Sequence, residues 1–382
     1  MQKLKLVVVT LFIGLTAFSQ AIETTMYSNA MEEERELKIL LPRGYSNEDK
    51  KAYPVIYVLD GDYLFEVVSG NVDFYSYWED IPDAIVVGVI QSEERDDDLA
   101  YSGQNSLPVD GGADFFKFVG SELTKHIEKT YKTEPFRVIV GHGKTANFVN
   151  YFLVREAPVF NAYISISPDF AKDMPNYIIK RMETLEQKIF YYMATSTNDV
   201  PFIMEETNAL NTRINTIENT NLFYTFNEIN GANHYTTPAH AIPRALDRIF
   251  FTFQPISKKE YKESILNLKT SPVEYLIQKY EEISTLFGIE KQILINDFKA
   301  IAAAIKKKQQ WDYYQDLAKL ARKQYPDTVL HNYYLGQYYE RVGESKKAMK
   351  VYKDAYILEE IGGITKDHLL DLADDIKAEF EN

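Results

Sequence analysis

The sequence predicts an α/β protein, a mostly parallel sheet with helices on both faces, followed by an all-helical segment. Three observations carry that expectation. Short β-branched or aromatic runs recur between residues 36 and 226, several of them continuously apolar, as strands covered on both faces are. Helical periodicity fills the intervals, most clearly where Phe116, Val119, Leu123 and Ile127 share one face. Near Phe253-Gln254-Pro255-Ile256 the strand signals stop, and the rest of the chain to Asn382 reads as helix rich in Tyr, Lys and Glu.

Taken in order, Met1 to Gln20 reads as a secretory signal. Lys3 and Lys5 form its basic end, Leu6 to Ala17 its apolar run, and small or polar residues follow. That run is too short for a membrane span, so the expectation is an exported protein, periplasmic or extracellular, with no span in its mature form. The chain contains no Cys, which leaves its 45% hydrophobic residues to stabilise it without disulfides. Strands are expected at Glu36–Leu41, Tyr53–Leu59, Ala84–Ile90, Arg137–Val140, Tyr163–Ser167, Lys188–Ala194 and Leu222–Phe226. The expected division is 1–20 signal, 21–257 sheet domain and 258–382 helical domain, with pieces ending near Ser257 and starting near Ser264 each soluble alone.

In the helical part, Trp311 to Tyr325 runs into Pro326-Asp327, and the next helix carries Leu335-Gly336 with Tyr339. Ala348, Tyr352 and Ala355 then fall at the small and aromatic positions of a 34-residue repeat, and Ala321 and Pro326 fill the matching places one period earlier. This register resembles tetratricopeptide repeats closed by a last helix, Thr365 to Phe380. Such a domain implies a protein or peptide partner.

Charge narrows the partners. The net charge is −14, whereas residues 258–382 carry 20 Lys and Arg against 21 Asp and Glu, so the front domain holds nearly all the excess acid. Nucleic acid and anionic membrane surfaces are poor partners for it.

The chemistry centres on Arg137-Val138-Ile139-Val140-Gly141-His142-Gly143-Lys144-Thr145-Ala146-Asn147-Phe148, which reads as strand, tight turn and helix. Gly143-Lys144-Thr145 imitates the end of a phosphate-binding loop. The first glycine of that loop would fall at Val138, inside the strand, and nucleotide binding is therefore not expected. The turn is instead where a nucleophile elbow of the G-x-S-x-G kind sits, with Gly143 at the serine position. Hydrolysis there requires a histidine, a carboxylate and two oxyanion N–H groups besides the nucleophile. Of six histidines, His234 in Asn230-Gly231-Ala232-Asn233-His234-Tyr235 directly follows the last strand, the place for the base. Asp199, beyond the strand 188–194, is the candidate acid, with Glu205 and Glu206 as substitutes. The oxyanion N–H groups are assigned to Lys144 and to the turn Asp60-Gly61-Asp62, which makes Gly61 and Asp62 candidates.

Together these pieces resemble the esterase family of α/β hydrolases that includes esterase D, feruloyl esterases and siderophore esterases. The match runs over residues 33–254: Tyr53 to Asp62, Val87-Gly88-Val89-Ile90 with Arg95 and Asp98-Leu99, Gly111 to Phe116, Val140-Gly141-His142, Ser165-Ile166-Ser167-Pro168 and His234. The resemblance implies an α/β-hydrolase fold, ester hydrolysis and no metal or organic cofactor. The departure is equally specific. Where the family has G-H-S-x-G-G, this chain has Gly141-His142-Gly143-Lys144-Thr145-Ala146, without the serine or the two glycines that follow. The expectation is a pseudo-esterase that holds a small ester-like ligand in its cleft. The alternative is an ester hydrolase working by a non-standard route around His234.

Overall fold

A computed structural model describes residues 21–381; the signal-like stretch 1–20 lies outside the described residues. Eight strands form one sheet in the order β1-β2-β4-β3-β5-β6-β7-β8. They are β1 Ile22–Ser28, β2 Glu33–Leu40, β3 Tyr53–Val58, β4 Ile85–Val89, β5 Thr133–His142, β6 Ala162–Ile166, β7 Ile189–Asn198 and β8 Leu222–Asn233. The pairs β1/β2 and β2/β4 are antiparallel and all the others parallel. The seven expected strands are all present, and β1 is an addition. Its sequence IETTMYS is mostly exposed at the sheet edge, so it carries no apolar alternation to read.

Alternation along the buried strands divides the core. Ile56, Val58, Val138, Val140, Ile164 and Phe190 face one layer, with helices Phe65–Tyr77 and Thr237–Ile249. Val55, Tyr57, Ile139, Tyr163 and Tyr191 face the other, with the helical segment 111–130 and helices Lys144–Leu153 and Met174–Glu183. Side chains pointing alternately to opposite faces make a two-sided sheet from runs that are apolar throughout.

Helices Pro272–Phe287, Ile295–Lys308, Tyr313–Gln324, Leu330–Arg341, Ser345–Asp354 and Lys366–Glu381 follow the sheet domain. Gly336 lets two of them approach closely, because a Cβ there would stand 2.0 Å from Cε1 of buried Tyr352. The chain division near residue 257 does not divide the core. Phe287, fully buried, places its ring centroid 4.9 Å from Phe136 of β5 and 5.4 Å from Phe250. Lys291 Nζ donates to the Phe253 carbonyl at 2.6 Å and lies 3.6 Å from the centre of that ring. The expectation that each piece stands alone therefore meets a shared apolar layer. Periodicity shows that a helix has an apolar face but not which surface covers it.

Candidate functional site

Strand β5 runs through the middle of the sheet and ends at Gly141-His142-Gly143, where the chain reverses into helix Lys144–Leu153. A Cβ on Gly141 would lie 2.4 Å from the Thr145 carbonyl oxygen, so this tight turn excludes a side chain there. Gly143 has φ +61° and ψ −119°, a conformation that costs a non-glycine residue about 1–3 kcal/mol. Backbone bonds over-determine it. Gly143 N–H donates to the Ile166 carbonyl at 3.0 Å, and its own carbonyl accepts from Asn147 at 3.2 Å and Asp169 at 3.1 Å. The elbow is thus held in a conformation that glycine adopts freely, with no side chain at its apex.

Thr145 does not supply the missing hydroxyl. It is buried beneath the turn, where Oγ1 accepts from His142 N–H at 2.8 Å and lies 2.7 Å from Asp60 Oδ2.

The acid and the base meet because of strand register. Asn198 at the end of β7 pairs with Asn233 at the end of β8, so the next residue on each strand, Asp199 and His234, comes side by side. Residues 195–198 and 230–233, beyond the expected strand ends at Ala194 and Phe226, are the final residues of these strands, carried past the apolar runs by ladder pairing. His234 Nδ1 stands 2.8 Å from Asp199 Oδ1. Glu205 and Glu206 are exposed on helix Pro201–Ile214 and are not the partner. Burial would raise the Asp199 pKa, but hydrogen bonds from His234, Ser167 Oγ, Thr195 Oγ1 and Val200 N–H prevail and bring it down to about 2. A carboxylate this firmly ionised holds Nδ1–H and leaves Nε2 facing the elbow. A Cβ placed on Gly143 would stand 3.5 Å from that Nε2.

The lowered pKa fixes a sign for the acid stability of the fold. Because the folded value lies below the ordinary carboxylate value of about 3.9, the stabilisation is present above about pH 4 and is lost as pH falls toward 2. Asp199→Asn should therefore show a shallower loss of unfolding free energy than the unmodified protein between about pH 5 and pH 2. Parallel urea titrations across that range check it, and identical slopes would mean that the carboxylate is not held as described.

A second layer went unrecognised in the sequence. His142 is buried, with Nε2 3.1 Å from the His234 carbonyl oxygen and Nδ1 2.9 Å from the Tyr63 hydroxyl. Facing a carbonyl, Nε2 must carry the hydrogen, so Nδ1 accepts from Tyr63. Burial, and next the neighbouring His234, push the His142 pKa down to about 4, which keeps this ring neutral near pH 7. Below it, buried Asp60 takes Arg95 Nε at 2.5 Å and Nη2 at 3.0 Å. Asp60 and Arg95 carried part of the family resemblance, but only the fold reveals that they brace the turn and His142.

Gly61 is not an oxyanion donor. Gly61 N–H donates to the Val89 carbonyl at 2.7 Å and is not available, because this glycine is where the turn crosses β4 in close backbone contact. The Asp62 carboxylate turns to Gln91 N–H at 3.0 Å and Ser92 Oγ at 2.7 Å. No acceptor among the described residues takes the Asp62 amide. Lys144 opens its helix, so its amide is one of the N-terminal N–H groups with no intrahelical acceptor. Its ammonium reaches Asp96 Oδ1 at 2.9 Å on the surface. Tyr63, Arg95, His142, Gly143, Lys144, Asp169, Ile203, His234 and Tyr235 enclose a cavity of about 590 Å³ above the elbow.

The family model described as Putative esterase matches residues 28–172. A crystal structure of an uncharacterised protein from Capnocytophaga ochracea DSM 7271 is 29% identical with TM-score 0.83, covering 94% of this chain and all of that one. The similarity therefore runs through both the sheet and the helices after it. An IroE-like serine hydrolase from Shewanella oneidensis is 20% identical with TM-score 0.60, over 80% of this chain and 99% of that one. The BES protein from Bacillus cereus is 22% identical with TM-score 0.53, over 65% and 98%. No curated protein matches. The chain has an α/β-hydrolase-like fold, a mostly parallel sheet flanked by helices and followed by a helical region, and over residues 28–172 it is similar to that esterase family.

Proposed function

We propose that this protein is a pseudo-esterase, an exported binding or scaffold protein whose hydrolase cleft holds a ligand without turning it over. One observation carries the reading: the acid and the base meet beside the tight elbow, and the apex residue is Gly143. The hydroxyls of Thr145, Ser167 and Tyr63 are committed to Asp60, Asp199 and His142. Without a nucleophile no acyl intermediate forms, and only binding and the oxyanion donors remain. The expected result is that purified protein does not hydrolyse p-nitrophenyl acetate or butyrate above the buffer rate, and that His234→Ala behaves identically. A second reading has one supporting feature, because His234 Nε2 opens into a cavity where a water could be deprotonated. Hydrolysis that disappears in His234→Ala would establish that reading and end the first.

For the helical region we propose a tetratricopeptide-like docking domain. The fit of Gly336 against Tyr352 and the burial of Ala321, Ala348 and Ala355 support it. Export is inferred from residues 1–20 alone. N-terminal sequencing should find mature protein beginning near Gln20 to Ile22 outside the cytoplasm, and a soluble cytoplasmic form starting at Met1 would refute it. Among the described residues no helix is long and apolar enough to cross a membrane.

A further inference from the structure

We infer that the cleft selects carboxylic acids over their esters, with one carboxylate oxygen standing where a nucleophile's side chain would be. This rests on the reading of the cleft as a binding site. The space is real, since a Cβ on Gly143 would meet nothing nearer than His234 Nε2 at 3.5 Å. An atom one bond further out lies within hydrogen-bond reach of that nitrogen and beside the Lys144 amide. In a hydrolase the serine hydroxyl fills this place and satisfies the histidine; here the ligand must do so.

The chemistry of the walls decides which ligand. An ester offers a carbonyl oxygen to the amides, but its second oxygen is a poor acceptor and leaves Nε2 unsatisfied in a partly buried site. A carboxylic acid binds together with its proton: shared between one carboxyl oxygen and Nε2, that proton makes the hydrogen bond a serine hydroxyl would make, while the second oxygen takes the amide at the helix start and Asp199 accepts Nδ1–H on the far side of the ring. Two cations line the same cavity. Arg95 is fixed by Asp60, and Lys144 is tied to Asp96 only through an exposed pair. Exposed ion pairs are weak, so the Lys144 ammonium can turn toward a bound anion at small cost. Asp169 also lines the cavity and opposes a second negative charge, which favours a monocarboxylate. Ile203 and the exposed ring of Tyr235 are left for an apolar body.

The test is isothermal titration of the full chain with sodium hexanoate and sodium benzoate, and with methyl hexanoate and methyl benzoate, at matched ionic strength. The acids should bind at least tenfold more tightly than the esters. Lys144→Glu, an exposed site whose folding is checked by melting, should weaken the acids at least tenfold and the esters, which make no ion pair, by much less. Esters bound as tightly as the acids and recovered intact would overturn this inference while leaving the non-hydrolytic cleft standing. Failure of all four probes to bind would also overturn it. Hydrolysis of the esters would remove both the inference and the reading it rests on.

Discussion

Gly143→Ser should turn this protein into a measurable esterase. The introduced hydroxyl would arrive on an elbow already held at φ +61°, with His234 Nε2 in reach and the Lys144 amide beside it. The Cβ itself meets only ordinary contact distances, so the cost is backbone strain rather than collision. That strain, about 1–3 kcal/mol, should appear as a melting temperature lower by a few degrees. Turnover of p-nitrophenyl butyrate should rise at least about 100-fold over the unmodified protein, since nucleophile, base and acid act as a unit. The gain must vanish when His234→Ala or Asp199→Ala is added. A folded Gly143→Ser protein without activity would mean that Lys144 or the unassigned second oxyanion donor has dismantled the site beyond its serine.

The second large effect concerns stability. Phe287→Ala should cost about 3–5 kcal/mol, because that ring is fully buried among Phe136, Phe190 and Phe250 of the sheet domain. A piece ending at Ser257 exposes the same rings, together with the surface that Leu276 and Ile283 cover, and should aggregate where the full chain does not. Urea unfolding of Phe287→Ala and sedimentation of the shortened piece measure the two effects. A soluble piece with a cooperative transition like that of the full chain would mean that the helical region contributes little to this core.

Much of the site was legible because its parts sit at strand ends, where hydrophobic runs break into polar residues. His234 follows the last strand, Asp199 follows the one before, and Gly143 follows the central one, so position along the chain was enough to name them. Their meeting was not legible. It depends on Asn198 pairing with Asn233, a register that no local pattern encodes, in stretches polar enough to be taken for loops. The Tyr63–His142–Asp60–Arg95 layer stayed hidden because each member is an ordinary polar residue until three separate segments converge. Gly61 was misread as a donor because a glycine turn after a strand suggests a free amide, whereas this one is spent on β4. Strand β1 escaped because an exposed edge strand needs no apolar face.

The most direct measurement is intact mass after incubation with an excess of a fluorophosphonate, which phosphonylates a serine activated by a neighbouring histidine and releases fluoride. The unmodified protein should remain at its own mass, and Gly143→Ser should gain a single adduct on the introduced serine, abolished by His234→Ala. A stoichiometric adduct on the unmodified protein, on Thr145, Tyr63 or any other cleft residue, would show that this cleft still holds a nucleophile and would contradict the account.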